Sequence, residues 1–186
     1  MNRFFLLPIL LSGHFLIAQP KQGSLMLNGK LEFKKEGSYN STTVAPSIGY
    51  FFNSKLAAGA TVGFTDENVS NGSYSSRTGF LYGVFVRKYF SVGKEEKFFF
   101  FLHPYLQSVK FNYDNTNASS SYFVFGLSPG FTFFPAKRIG IDFTFINLVI
   151  AQPTKGVSNS TALSFEGNTA YPSLSITFLL RNKETE

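Results

Sequence analysis

Residues 44–65 read VAPSIGYFFNSKLAAGATVGFT and constrain the fold more than any other stretch. Two alternating runs flank a short polar turn, Asn53-Ser54-Lys55. In the second run Leu56, Ala58, Ala60, Val62 and Phe64 fall on one side; Ala57, Gly59, Thr61, Gly63 and Thr65 fall on the other. Side chains alternate faces along a strand, so a period of two predicts a β-hairpin. One face is lipid-like. The other is small, weakly polar and uncharged, unlike a surface that meets bulk water.

The same unit recurs. Eight strands are predicted, at residues 24–33, 42–52, 56–65, 77–91, 98–113, 121–134, 139–150 and 170–180. A slip of the alternation near Ser108–Lys110 suggests a bulge in the fifth. Pro104 fits that strand least well, because it cannot donate a ladder bond. In the seventh, Ile139, Ile141, Phe143 and Phe145 oppose Asp142 and Thr144. The predicted links alternate in length. Residues 34–41, 66–76, 114–120 and 151–168 form long polar loops, and 53–55, 92–97 and 135–138 short turns. Short turns on one side and longer loops on the other are the sidedness of membrane barrels, and an even strand number puts both termini on the short-turn side. About ten residues at about 3.3 Å rise, tilted by about 45°, cover about 23 Å. The apolar band of such barrels is roughly 25 Å tall.

Charged residues are 15% of the chain, against roughly 25% in soluble domains. The balance is basic, at +6, yet the cations are scattered, in pairs at most as at Lys34-Lys35 and Lys137-Arg138. That is no nucleic-acid footprint; it suits contact with anionic lipid head groups. The first residues read as an export signal: Asn2 and Arg3, a largely apolar run of 14 residues (4–17), then Ala18. The expected division is a signal peptide at 1–18 and one barrel domain at 19–186. With no cysteine, neither a lipid-modified N-terminal cysteine nor a disulfide is available. No later apolar stretch is long enough for a spanning helix.

A soluble exported carrier, such as a lipocalin-like barrel, is the rival architecture. Polarity separates the two. A soluble barrel buries its large apolar face and offers water Lys and Glu. Here the face opposite the large residues is mostly Gly, Ala, Ser and Thr, which suits the crowded inside of an eight-stranded barrel. The expected fold is therefore all-β: an eight-stranded antiparallel up-and-down transmembrane β-barrel. Unpaired backbone groups in lipid cost several kcal/mol each, and for strands only ring closure avoids that.

Aromatic residues gather at strand ends and are expected to form two interfacial girdles. Near the short turns these are Phe51, Phe52, Tyr89, Phe90, Phe98, Phe99, Phe133, Phe134 and Phe178. Near the long loops they are Phe33, Phe64, Phe80, Phe111, Tyr113, Tyr122, Phe123 and Tyr171. Five charged or titratable residues are expected to face the lumen: Lys30, Glu32, Arg87, His103 and Asp142. Buried charges persist when paired, so they are expected to form a network that fills the barrel rather than an ion path.

The strand residues resemble the small outer-membrane β-barrel domain of the OmpX/OmpA-like kind. The resemblance rests on Ser47-Ile48-Gly49-Tyr50-Phe51-Phe52, Leu56-Ala57-Ala58-Gly59, and Val84-Phe85-Val86-Arg87-Lys88-Tyr89-Phe90. It continues through Gly126-Leu127-Ser128-Pro129-Gly130, Ile139-Gly140-Ile141-Asp142 and residues 173–178, and covers nearly all of the mature chain. It implies a monomer in the cell outer membrane, contacting its lipid and lipopolysaccharide and inserted by the barrel-assembly machinery. Members commonly end on an aromatic residue read by that machinery; here Phe178 is followed by a charged tail to Glu186.

The expected role is structural or surface-interactive: envelope integrity, adhesion, or binding of extracellular ligands through the long loops. Strand edges beyond the membrane offer a further place for an extended partner. Five Asn-x-Ser/Thr sites, at Asn40, Asn68, Asn71, Asn117 and Asn159, lie in or beside those loops and read as loop composition. A different class is a lipid-modifying barrel enzyme. Lipid A deacylase-like barrels use a His and a Ser two apart on a lipid-facing strand. Here His103 has its nearest serine at Ser108, about 16 Å along a strand, which leaves only a cross-strand partner, Ser128. No enzyme activity, cofactor or metal site is expected.

Overall fold

The structure is a computed structural model that describes residues 20–69, 76–93, 97–114, 118–155, 162–167 and 173–180. The expected signal peptide, Tyr171, the tail beyond Leu180 and the glycosylation-type asparagines 71, 117 and 159 lie outside the described residues. Ten runs of strand form one sheet: β1 Leu25–Glu36, β2 Tyr39–Asn53, β3 Leu56–Val69, β4 Arg77–Val92, β5 Phe98–Tyr113, β6 Ser119–Ala136, β7 Ile139–Thr144, β8 Ile146–Lys155, β9 Ala162–Gly167 and β10 Ser173–Leu180. β7 and β8 are halves of a seventh stave, and β9 and β10 of an eighth. Each stave pairs antiparallel with its chain neighbours. β10 pairs with β1 from Leu25↔Leu180 to Leu31↔Leu174, and that closes the ring.

The wall is apolar on its outside. Leu27 and Leu31 on β1, Ile48 on β2, Val62 on β3, Val84 on β4, Leu106 on β5, Phe125 on β6, Leu148 on β8 and Ile176 on β10 are all exposed. Large exposed apolar residues on every side amount to far more than the patch a soluble monomer tolerates. The same residues meet a lipid interior without penalty. This polarity runs opposite to that of a soluble carrier, whose large residues would point inward. The barrel therefore spans a membrane with its strands.

Three expectations about register need correction. The segment 34–41 is not a long loop. β1 and β2 stay paired to Glu36↔Tyr39, and only Gly37 and Ser38 turn the chain. Gly37 has φ +57°, a left-handed conformation natural to glycine. β3 likewise stays paired with β2 out to Val69. Ladder bonds need no apolar side chains, so a polar composition hid strand that continues above the apolar belt. Second, the alternation does not slip at Ser108–Lys110. One register holds along the whole of β5 against β6, from Phe98↔Phe133 to Asn112↔Ser119. Val109 and Phe111 point inward, so large apolar residues there belong to the lumen. Pro104 sits within this strand; pairing with β4 lapses beside it, between Phe85↔Tyr105 and Lys88↔Leu102, without changing register.

The slip lies instead at Phe145. Leu127↔Leu148 is followed by Gly130↔Thr144, so three residues of the seventh stave face Ser128 and Pro129 of β6. Pro129 has no N–H to give to a ladder there. The extra residue reverses the facing of everything beyond it. Ile146, Leu148 and Ile150 thereby reach lipid, and Asn147 turns into the lumen.

Candidate functional site

Alternation decides which side chains enter the lumen. On β4 these include Arg77, Leu81, Phe85, Arg87 and Tyr89; on β5 they include Phe99, Phe101, His103, Tyr105, Val109 and Phe111. Together with inward residues of the other staves they form two side-chain networks in the lumen, one toward each end.

The lower level lies toward the short turns. Asp142, 1% exposed, is inside the wall of β7. Its carboxylate accepts from four donors: Arg87 Nη1 at 2.5 Å, Thr132 Oγ1 at 2.7 Å, Asn28 Nδ2 at 2.9 Å and Thr177 Oγ1 at 3.0 Å. Arg87 also donates from Nε to His103 Nδ1 at 3.0 Å and from Nη1 to the Tyr89 hydroxyl at 3.2 Å. Its guanidinium lies 4.4 Å from the centre of the Phe101 ring. An ion pair withdrawn this far from water survives because the carboxylate's remaining lone pairs are met as well. Beneath it the lumen is packed with Phe51, Tyr89, Phe99, Phe101 and Phe134, together with Met26 and Leu179. The Phe99 ring meets Tyr89 and Phe134 edge-on, at 6.1 and 5.6 Å.

The upper level uses the same parts. Arg77 contacts the Glu67 carboxylate through Nη2 at 2.6 Å and Nε at 2.7 Å. Its guanidinium lies 4.1 Å from the centre of Phe111, and Nη1 donates to the Tyr113 hydroxyl at 3.4 Å. This pair is wetter: the side chains of Arg77 and Glu67 are 29% and 11% exposed. At the loop end, beyond the apolar belt, burial and the charge of Glu67 hold the Tyr39 phenol above its ordinary range. Tyr113, bonded to Ser120 and facing Arg77, is held below it.

Between the levels is a cavity of about 220 Å³. Lys30, Thr61, His103, Gln107 and Asn147 line it, with Leu81, Val109 and Phe111 on one side. Asn147 Oδ1 accepts from Ser128 Oγ at 2.7 Å and from the Tyr105 hydroxyl at 3.0 Å.

The five candidate lumen residues separate into two groups. Arg87, His103 and Asp142 meet in the lower network. Lys30 pairs with Glu32 at 2.7 Å, with Lys34 beside it at 3.6 Å, along β1. His103 and Ser128 do stand opposite each other across β5 and β6. However, His103 Nδ1 is taken by Arg87, and the Ser128 proton goes to Asn147.

The girdle near the short turns is half of what the sequence suggested. Phe52, Phe90, Phe98 and Phe178 are exposed outward, and Phe133 lies on the same side. Phe51, Tyr89, Phe99 and Phe134 are not girdle residues: all are at most 3% exposed, inside the barrel. In each adjacent aromatic pair the pleat sends one ring out and one in. Near the loops, Phe111 is likewise buried, and Tyr113 and Tyr122 face inward with it. Sequence reasoning missed Asn28, Thr132 and Thr177, since a small polar residue in a lumen gives no distinguishing signal. It also missed Glu67 and Arg77, placed in or beside a supposed loop. One signal was available: Arg77 and Arg87, and Phe101 and Phe111, repeat at a spacing of ten.

No family model and no curated protein matches the chain. Solved structures do. The N-terminal β-barrel domain of Pseudomonas aeruginosa OprF superposes with a TM-score of 0.54 at 12% identity, over 86% of this chain and 98% of that one. The outer membrane protein OprG of the same organism gives 0.49 at 11%, over 90% and 100%. Ail, the attachment invasion locus protein of Yersinia pestis, gives 0.43 at 13%, over 86% and 99%. The OprF likeness is one of fold, and it agrees with the closed ring and the lipid-facing wall. The chain has the fold of a small outer-membrane β-barrel: eight antiparallel staves around a lumen that holds two side-chain networks.

Proposed function

We propose that this outer-membrane barrel acts through its surfaces and not through a pore, in a structural or surface-interaction role: envelope integrity, adhesion, or ligand binding at its loop end. The lower network carries the reading. A buried ion pair with four donors on one carboxylate, above a packed aromatic layer, supports a blocked lumen. What remains available is the outer wall and the loop end. There the β1–β2 ribbon holds its ladder to the two-residue turn, a rigid surface for a partner. Lys35 and Lys110 are exposed on the outer face near that end, where lipopolysaccharide phosphates would meet them. The catalytic alternative at His103 and Ser128 is disfavoured, because both atoms that would react are engaged elsewhere and point into the lumen.

The test is conductance of the purified protein in a planar bilayer. Silence, with a heat-dependent gel shift and co-fractionation with outer membrane, is expected. A steady large conductance sinks the reading.

A further inference from the structure

We propose that the short-turn end of the barrel is a collar that binds anionic phospholipid head groups of the leaflet around it. Setting Arg3 aside, the net charge of +6 leaves an excess of five cations over carboxylates. That excess is not spread over the molecule. Lys21, Lys55, Lys88, Lys137 and Arg138 all stand toward the short turns, before β1, between β2 and β3, near the end of β4 and between β6 and β7. The turn at 92–97 and the residues after Leu180 hold four cations and four carboxylates, and the rest of the barrel holds seven of each. Among the described residues no carboxylate pairs with any of the five; the ion pairs lie in the lumen and toward the loop end.

Lys88 decides the class of partner. It stands on β4 between Arg87 and Tyr89, both buried in the lumen, so its own side chain is on the outer wall. Its neighbours there are Val86 and Phe90 along the strand and Leu56 and Leu102 across it. It lies four residues inside the end of β4, about 10 Å along a tilted barrel. A lysine on such a wall lays its stem over apolar surface and carries its ammonium to the head groups. A soluble partner below the membrane does not reach it; a lipid phosphate at the level of the girdle does. Lys55 joins it from the neighbouring turn. There Lys55 N donates to Asn53 Oδ1 at 2.9 Å, and Tyr89 N donates to the Lys55 carbonyl at 2.7 Å. Arg138 is set in the same manner. Its carbonyl accepts from Leu179 N at 2.8 Å, beside the paired, outward Ile139 and Phe178. Cations interleaved with lipid-facing side chains fit a phosphodiester whose acyl chains lie along the wall. A zwitterionic head group brings its own ammonium, so the head group that gains here carries net negative charge. The collar is at the end away from the loops, and its failure would leave the conductance test untouched.

The probe is phosphatidylglycerol, raised as a fraction of phosphatidylcholine nanodiscs that hold the folded protein, with backbone amide resonances as the readout. Both faces of such a disc carry the same lipid, so the loop end is an internal control. The amides of Lys55, Lys88 and Arg138 are expected to move and saturate, and those of Lys35 and Lys110 to move little. Lys88→Met and Arg138→Gln, each confirmed as folded by the gel shift, should each raise the half-saturating fraction in their own sector about fivefold and leave the other sector unchanged. Lys35→Gln should change neither, and high salt should weaken both. Equal movement at the two ends overturns the proposal, since it reports diffuse attraction to net charge. So does no response to phosphatidylglycerol, or unchanged half-saturation in both weakening variants. Soluble polyglutamate, added to pure phosphatidylcholine discs, is expected to move the collar amides little; movement as large as that with phosphatidylglycerol would replace the lipid with an acidic polymer and overturn the proposal as well.

Discussion

The two networks are built alike and buried differently. Each takes an arginine from β4, sets it over a phenylalanine ring of β5, pairs it with a carboxylate from another stave and gives it a tyrosine hydroxyl: Arg87, Phe101, Asp142 and Tyr89 below, Arg77, Phe111, Glu67 and Tyr113 above. The arginines are ten residues apart, about 33 Å along a strand and roughly 25 Å along a tilted barrel. The device therefore appears once near each end of the apolar belt. Surroundings, and not composition, set its strength. Asp142 draws donors from four other staves, so removing it opens the whole cross-section. Glu67 takes donors from Arg77 within a neighbouring strand pair and keeps some contact with water. An attraction screened by water is worth far less than one in a dry interior.

Four measurements bear on that contrast. The largest effect is expected from Asp142→Ala. It strands Arg87 in the dry lumen and frees three further donors, a loss of about 3–5 kcal/mol. Urea titration of the heat-shifted band reads it, and a loss below about 1 kcal/mol would make the two levels equivalent. Next is Gly126→Ala. An added Cβ would fall 2.1 Å from Cζ of Tyr105, the ring that packs against both apolar clusters. Overpacking of this kind costs about 1–3 kcal/mol, read by the same titration; a neutral result would mean that Tyr105 does not couple the two levels. Glu67→Ala should cost at most about 1 kcal/mol, shrinking further in high salt. A salt-independent loss as large as that of Asp142→Ala would show the upper pair to be as dry as the lower. The smallest effect is that of Arg77→Ala on conductance: none, because the lower level still blocks the path. Openings in that variant would mean that the upper level is the true seal.

How much of this was readable beforehand follows from what alternation can and cannot say. The staves, their facing and the inward Arg87, His103 and Asp142 all follow from a period of two. Which of two adjacent aromatic rings points inward follows from it too, yet Phe51 and Tyr89 look like girdle residues when only strand ends are considered. The reach of β1 and β2 to Gly37 was illegible for another reason: above the belt both faces are polar, and the pattern that marks a strand fades while the ladder continues. The bond between Arg87 and Asp142 is a matter of ring closure, between residues 55 apart in sequence. No local rule connects them.

Phe145 has a consequence for how such a chain can change over time. Elsewhere in a stave, gaining or losing one residue would exchange lipid-facing and lumen-facing sets from that point to the next turn, so length changes within the wall are confined to pairs. Beside Pro129 the wall already contains one uncompensated residue, and the turn of facing it causes is built into the lumen through Asn147. A single deletion there would straighten the stave at the cost of the cavity. A related chain with a regular seventh stave should therefore lack the Asn147 contact, and a chain that keeps the contact should keep the extra residue.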